Sequence, residues 1–261
     1  MKNVTVKVDN LSFGYNSEKV LKNINVEAKS GEITGVIGPN AAGKSTLLKC
    51  IAGMLEPDKG NVFVNGNNVQ KMQNKKISKI VSYLPQDQAS NVVLPVLEAV
   101  LLGKVHSLCW KVTEKDLEEA WNILEKLGID YLAERGLNEL SGGQNQMVNI
   151  AQSLIGMPDV FLLDEPTSSL DLRHQIGVMD LIKNITQDEG ISTLISSHNL
   201  EQVVRYADKL IVLNSGCVYA SGDVESILTT DMMKSVYGVE SEIELTKNGV
   251  PKVTLLSSTE R

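Results

Sequence analysis

Cysteine is scarce in this chain of 261 residues: there are three, Cys50, Cys109 and Cys217, far apart and without metal-ligand spacing. That excludes a disulfide framework and a cysteine-based metal centre, and the thiols are expected to be small buried or half-buried residues of a reducing compartment. Long apolar runs are also missing. The most apolar stretch, Val92 to Leu102, is interrupted by Pro95 and Glu98 and is too short to cross a bilayer. Nor is there an excess of basic residues. The net charge is −7, so nucleic acid, whose phosphates need a basic surface, is not an expected partner. No internal repeat or low-complexity linker interrupts the sequence, and Met1-Lys2-Asn3-Val4 runs directly into a strand pattern, so no leader is expected. What remains, with 42% hydrophobic and 22% charged residues, is an ordinary soluble composition with a sizeable core and one or two domains. Any membrane role is expected to come through a partner.

One stretch organises the rest. Gly38-Pro39-Asn40-Ala41-Ala42-Gly43-Lys44-Ser45-Thr46 fits G-x-x-x-x-G-K-[ST]. It follows an apolar strand, Ile33 to Ile37, and opens a segment with apolar residues at helical spacing, Ser45 to Ala52. In that context the glycines let backbone N–H groups approach a phosphate closely, and the new helix directs its positive end at the same anion. Lys44 would reach the β- and γ-phosphates, and the Ser45 hydroxyl would take one position on Mg²⁺.

Around this loop the pattern is α/β. Alternating runs at Val4 to Val8, Val20 to Ala28 and Asn61 to Gly66 predict strands before and after the loop, and Ile80 to Pro85 predicts another. Helical patterns follow over Val96 to Leu102 and Glu114 to Leu127. In the second, Leu117, Ala120, Trp121, Leu124 and Leu127 share a face, which makes Trp121 an expected core anchor. A helix opens at Ser141 and ends before Pro158, and Val160-Phe161-Leu162-Leu163 is a wholly apolar run of the kind buried on both faces. A helix from about Leu172 to Asp188, a strand at Ser192 to Ser196 and a hairpin turning at Asn214-Ser215-Gly216 complete the core. The tail from Asp231 is expected to hold a helix and a small hairpin at Lys247-Asn248-Gly249.

Two further stretches carry chemistry. The apolar run ending at Leu163 delivers Asp164 and Glu165 to the end of a buried strand, where an open α/β sheet places its ligand. Asp164 suits Mg²⁺, through water, and Glu165 suits the general base that polarises an attacking water. Alone, a solvated acidic pair would read equally well; the phosphate loop upstream tips the balance. Leu140-Ser141-Gly142-Gly143-Gln144 places a good N-cap and two glycines at a helix start, which makes a second anion-binding nest in one chain.

The order of phosphate loop, Leu-Ser-Gly-Gly-Gln and Asp-Glu strand resembles the ATP-binding-cassette (ABC) ATPases over about residues 1 to 230. The resemblance implies a P-loop ATPase core with an N-terminal antiparallel β subdomain, a helical insertion at about 87 to 157, and a tail, 231 to 261, of unassigned role. By position it makes Tyr15 the aromatic that stacks on adenine. Gln86 becomes the glutamine sensing Mg²⁺ and the γ-phosphate, Asp171 an aspartate acting across a dimer, and His198 the switch histidine at the γ-phosphate. His106 and His174 are read as structural. Nucleotide contacts would come from Gly38, Asn40, Ala41, Ala42, Gly43, Lys44, Ser45 and Thr46 of one copy, and from Ser141, Gly142, Gly143 and Gln144 of the other; Mg²⁺ would take Ser45, Asp164 and Gln86. Two departures stand out: Ala41 where the family usually has glycine, and Asn145-Gln146-Met147 where it usually has basic residues.

That implies a head-to-tail homodimer holding two ATP and two Mg²⁺, docked at the cytoplasmic face of the membrane on separate permease subunits and served indirectly by an extracytoplasmic binding protein. Leu94 to Gly103, Ser168 to Gln175 and Tyr237-Gly238-Val239 are similar to importers of iron–siderophore, haem or cobalamin chelates. The competing expectations are an importer of another small solute and a non-transport ABC ATPase, although the tandem cassettes or long coiled-coil insertions usual in the latter are absent here.

Overall fold

The computed structural model describes residues 5–16, 18–86, 93–104, 112–246 and 249–259. His106 and Cys109 lie outside these, as do Lys247 and Asn248 of the expected tail turn.

Two sheets meet around the phosphate loop. The first is antiparallel, in the order β2 (Glu18–Lys29), β1 (Thr5–Tyr15), β4 (Lys59–Val64), β5 (Asn67–Asn68). Alternation gives β2 its buried face, Leu21, Ile24, Val26 and Ala28. β1 is longer than its first alternating run suggests. Asn10 takes a left-handed φ of 50°, and a register shift there lets the strand continue to Tyr15.

The second sheet has six strands, in the order β10 (Cys217–Asp223), β9 (Lys209–Asn214), β3 (Ile33–Ile37), β8 (Ser192–Ser196), β7 (Val160–Asp164), β6 (Val81–Leu84). β9, β3, β8, β7 and β6 run parallel, and β10 closes one edge as an antiparallel hairpin. β3, β7 and β8 are buried at every position, which is why their sequences read as continuous runs rather than alternations. The carboxyl ends of β3 and β7 lie close to each other across β8, so the phosphate loop and Asp164-Glu165 leave the same edge of the sheet.

The crossover helices are α1 (Lys44–Ile51), α5 (Gly142–Leu154), α6 (Leu172–Glu189) and α7 (Leu200–Tyr206). α2 (Asn74–Ile80) and α7 were not anticipated; each has seven residues, too few for a clear helical period. α3 (Val96–Leu101), α4 (Glu114–Lys126) and α5 form the helical region, and their apolar faces share one core with Leu84, Phe161, Leu163 and Ile195 of the large sheet. α4 begins with a capping box between Thr113 and Asp116. Its buried face is Ala120, Ile123 and Leu124. Trp121 and Leu117 are not core anchors: they are 41% and 43% exposed, and the Trp121 indole donates to Glu125 Oε1 at 2.8 Å. Ala120, Leu124 and Leu127 of the expected face are buried together with Ile123, so the buried stripe centres on that side of the face and leaves Leu117 and Trp121 at its exposed edge.

Cys50 is buried as expected, whereas Cys217 is exposed on the edge strand β10. After α8 (Val224–Ile227) the tail forms a helical turn, Thr230–Met232, that runs on into a π-helical segment, Met233–Tyr237. β11 (Val239–Leu245) and β12 (Pro251–Ser258) then pair as a hairpin. Met232, Met233, Val236 and Val253 bury themselves against Ile37, Val203 and Val212, so the tail is packed on the sheet that carries the phosphate loop.

Candidate nucleotide site

Strand β3 ends in a turn that only particular backbones can make. Gly38 has φ +149° and a Cβ there would lie 2.2 Å from the Leu213 carbonyl oxygen; Gly43, the N-cap of α1, has φ +102° and a Cβ would meet Leu21 at 2.6 Å. Both positions therefore need glycine. Ala41 takes φ +62°, in the small left-handed region that an L-residue enters at a cost of about 1 kcal/mol. The glycine usual in the family is thus explained, and alanine is accommodated with strain.

Lys44 is buried, and its ammonium donates to the carbonyls of Gly38 at 2.9 Å and Pro39 at 3.0 Å. Burial lowers its pKa, opposed by the negative charges of Glu165 and Asp164. Asn40, Ala41, Gly43, Lys44, Ser45 and Thr46 line an open cleft of about 600 Å³ whose other walls are Glu18 to Val20, Lys22, Glu165, Ser215 and Gly216. Gly38 and Ala42 shape the turn from behind. Tyr15 is half exposed, in edge-to-face contact with Phe13 at 4.9 Å, and stands opposite Glu18 at the rim.

At the end of β7 the two carboxylates occupy different surroundings. Asp164 is buried and receives three hydroxyls: Ser45 Oγ donates to Oδ1 at 2.9 Å, Ser196 Oγ to the same oxygen, and Tyr83 to Oδ2 at 3.0 Å. The phenol of Tyr83 is correspondingly raised, by burial first and then by the charge of Asp164. Ser196 is the register partner of Asp164 on β8. Neither Tyr83 nor Ser196 was singled out from sequence. The available signal was a tyrosine inside a buried parallel strand, whose hydroxyl must find a partner. A hydroxyl and a carboxylate held together in this way are oxygen donors of the kind a hard divalent cation takes.

Glu165 turns away into the cleft, with φ +50° for a non-glycine residue. Its N–H donates to the Ser196 carbonyl at 3.1 Å, and its Oε2 meets Gln86 Nε2 at 3.1 Å and His198 Nδ1 at 2.9 Å. The structure therefore brings Lys44, Ser45, Asp164, Glu165, Gln86 and His198 to one place.

The second nest stands apart. Ser141 caps α5 in a capping box: its Oγ accepts from Gln144 N–H at 3.3 Å, and the Gln144 side chain accepts from Ser141 N–H at 3.0 Å. Ser141 and Gly142 are exposed, and no residue of this motif lines the cleft at the phosphate loop. Asp171 caps α6. The neutral residues that replace the usual basic ones are used inside the chain: Gln146 Nε2 donates to the Pro166 carbonyl at 2.7 Å, and Asn145 Nδ2 to that of Leu137 at 3.4 Å.

A family model described as ABC transporter matches residues 21–168. An uncharacterised ABC transporter ATP-binding protein of Methanocaldococcus jannaschii is 40% identical over 95% of this chain and 96% of its own. A phosphonates import ATP-binding protein of Oceanobacillus iheyensis is 40% identical over 90% and 96%, and a petrobactin import ATP-binding protein of Bacillus anthracis 35% identical over 89% and 86%. Among solved structures, a metal-chelate type ABC transporter in an inward-facing conformation has a TM-score of 0.84 at 29% identity, covering 97% of this chain and 98% of that one. The chain belongs to the ABC transporter family, as one of its ATP-binding, ATP-hydrolysing subunits.

Proposed function

We propose that the chain powers import of a metal chelate through separate membrane subunits, as a homodimer in which each ATP is held between Lys44 of one copy and Ser141-Gly142-Gly143 of the other. The observation that carries the dimer is the split just described. Glu165, Lys44 and Ser45 line one open cleft, with Asp164 bonded to Ser45 and Gln86 to Glu165, while Ser141 and Gly142, at the exposed capped start of α5, lie outside it. In this reading Mg²⁺, when bound, screens phosphate charge, with Ser45 and Asp164 holding it and Gln86 beside it. Lys44 leaves its two carbonyls for the β- and γ-phosphates, and Tyr15 covers adenine at the rim. Glu165 Oε2 takes a proton from the attacking water, and His198 steadies that oxygen and contacts the γ-phosphate. Asp171 faces the partner copy.

An apolar groove lined by Ala52, Met54, Ile77, Val81, Tyr83 and Pro85 opens beside the Gln86 loop. It suits a helix of a permease subunit. No helix among the described residues is long and apolar enough to cross a membrane, so docking rather than insertion gives the cytoplasmic-face location. We place the ATPase domain at residues 1 to 230 and treat 231 to 261 as an appendage. The chelate cargo is supported by the whole-chain likeness to a metal-chelate transporter, the petrobactin relative and the Tyr237-Gly238-Val239 motif. The phosphonate relative favours a second cargo.

Affinity purification from membranes should bring down an integral-membrane permease. Uptake by cells carrying that permease should then be competed by ferric siderophore, haem or cobalamin and not by phosphonate. A chain recovered only from cytosol with no membrane partner would overturn the importer reading, and competition by phosphonate alone would overturn the chelate cargo.

A further inference from the structure

His174 is the third residue of α6, and its surroundings join two elements that the proposed dimer presents to its partner. Its Nδ1 lies 2.8 and 2.9 Å from the two carboxylate oxygens of Asp171, while its backbone N–H donates to the same Asp171 Oδ1 at 3.0 Å. One carboxylate thus caps the helix and grips the ring. The contact lowers the Asp171 pKa, through the backbone bond first and the ring second. The other side of the imidazole lies against Gly143. A Cβ on Gly143 would stand 2.5 Å from His174 Cδ2, 2.8 Å from Cγ and 3.1 Å from Nε2, so the ring is laid across the glycine of the signature nest. Gly143 is glycine here to admit that ring as well as to open the nest.

We infer that His174 is a positioning residue: it fastens the Asp171 loop to the Ser141–Gly143 nest, so that both elements reach the partner's ATP as one piece. Gln146, bonded to the Pro166 carbonyl, and Gln175, whose Nε2 donates to the carbonyls of Thr167 at 3.2 Å and Leu170 at 3.0 Å, brace the same loop from either side. The inference rests on the dimeric reading above. His174 touches neither the phosphate loop nor the cleft residues, so its effect falls on what a copy offers its partner and not on its own nucleotide.

The test is ATP-dependent dimerisation in a Glu165→Gln background, followed by size-exclusion chromatography across ATP concentration. Adding His174→Ala should raise the ATP needed for half-dimerisation about tenfold, the loss expected for one charge-assisted contact. His174→Asn, which keeps a donor at the position of Nδ1, should recover part of that loss. The affinity of the monomer for a fluorescent ATP analogue should stay unchanged in both. If Glu165→Gln alone stays monomeric at saturating ATP, the dimeric reading fails and this inference with it. If it dimerises and His174→Ala does so at the same ATP, or if monomer affinity falls in parallel, the role given to His174 is wrong.

Discussion

The end of β7 and the start of α5 are finished in opposite ways. At the end of β7, Asp164 accepts three hydroxyls and Glu165 Oε2 meets an amide and an imidazole, while Lys44 at the start of α1 donates to two carbonyls. At α5, Ser141 and Gly142 are exposed, and the motif's side chains serve only to cap their own helix. A network of that density, buried at Asp164 and Lys44, fixes geometry before substrate arrives. An exposed helix N-terminus is a surface waiting for charge from elsewhere. On the proposed function, the difference separates a half whose side chains are already bonded to one another from a half left open to the partner, in line with completion by a second copy.

Substitutions can sharpen that contrast. Glu165→Gln should have the largest effect, lowering ATP turnover by about 10²-fold or more, since a general base contributes on that order. It should also accumulate ATP-bound dimers; normal turnover in phosphate-release assays would remove Glu165 from the role of base. Tyr83→Phe should be smaller. It removes one of three hydroxyls from buried Asp164, lowering stability by roughly 1.5 kcal/mol and raising the Mg²⁺ needed for half-maximal activity. An unchanged Mg²⁺ titration would show that Tyr83 only packs. Ala41→Gly should stabilise the chain by at most a few tenths of a kcal/mol, since relief of about 1 kcal/mol of left-handed strain is largely offset by the greater freedom of glycine in the unfolded chain, seen as a small rise in Tm.

Smallest in consequence is the thiol contrast. Burial, with Asp58 adding, pushes Cys50 up to about 12, so it should resist alkylation at pH 8 while Cys217 reacts, a difference read by mass spectrometry. The folded value lies above the unfolded one, so the native state should lose stability as pH rises from about 9 towards 12.

Much of this site was legible in the sequence because its parts are local. A glycine-lysine turn between a buried strand and a helix announces itself by spacing, and with it upstream, two carboxylates at the end of an apolar run become informative too. The parallel character of the large sheet followed from the same alternation of strands and helices, although its strand order did not. What sequence could not supply was the contacts between distant segments. Tyr83 and Ser196 reach Asp164 only because β6, β7 and β8 lie side by side in register. His174 looked like a routine helix residue until α6 was laid against Gly143. Trp121 misled because helical spacing gives a face but not which edge of it is buried, and its indole found Glu125 instead of the core. α2 and α7 were too short for periodicity to show.

The most direct measurement of the central claim mixes two damaged copies. Lys44→Ala disables the phosphate loop, and Gly142→Asp places a negative charge in the signature nest at a position where an added Cβ meets nothing within 4 Å. Each should be inactive alone. Mixed, half the dimers would pair an intact phosphate loop with an intact nest at one of two sites, so activity should return to about a quarter of the unmodified chain's. An equimolar mixture as inactive as its components would contradict a site shared between copies, and full activity of Gly142→Asp by itself would contradict any part for the nest.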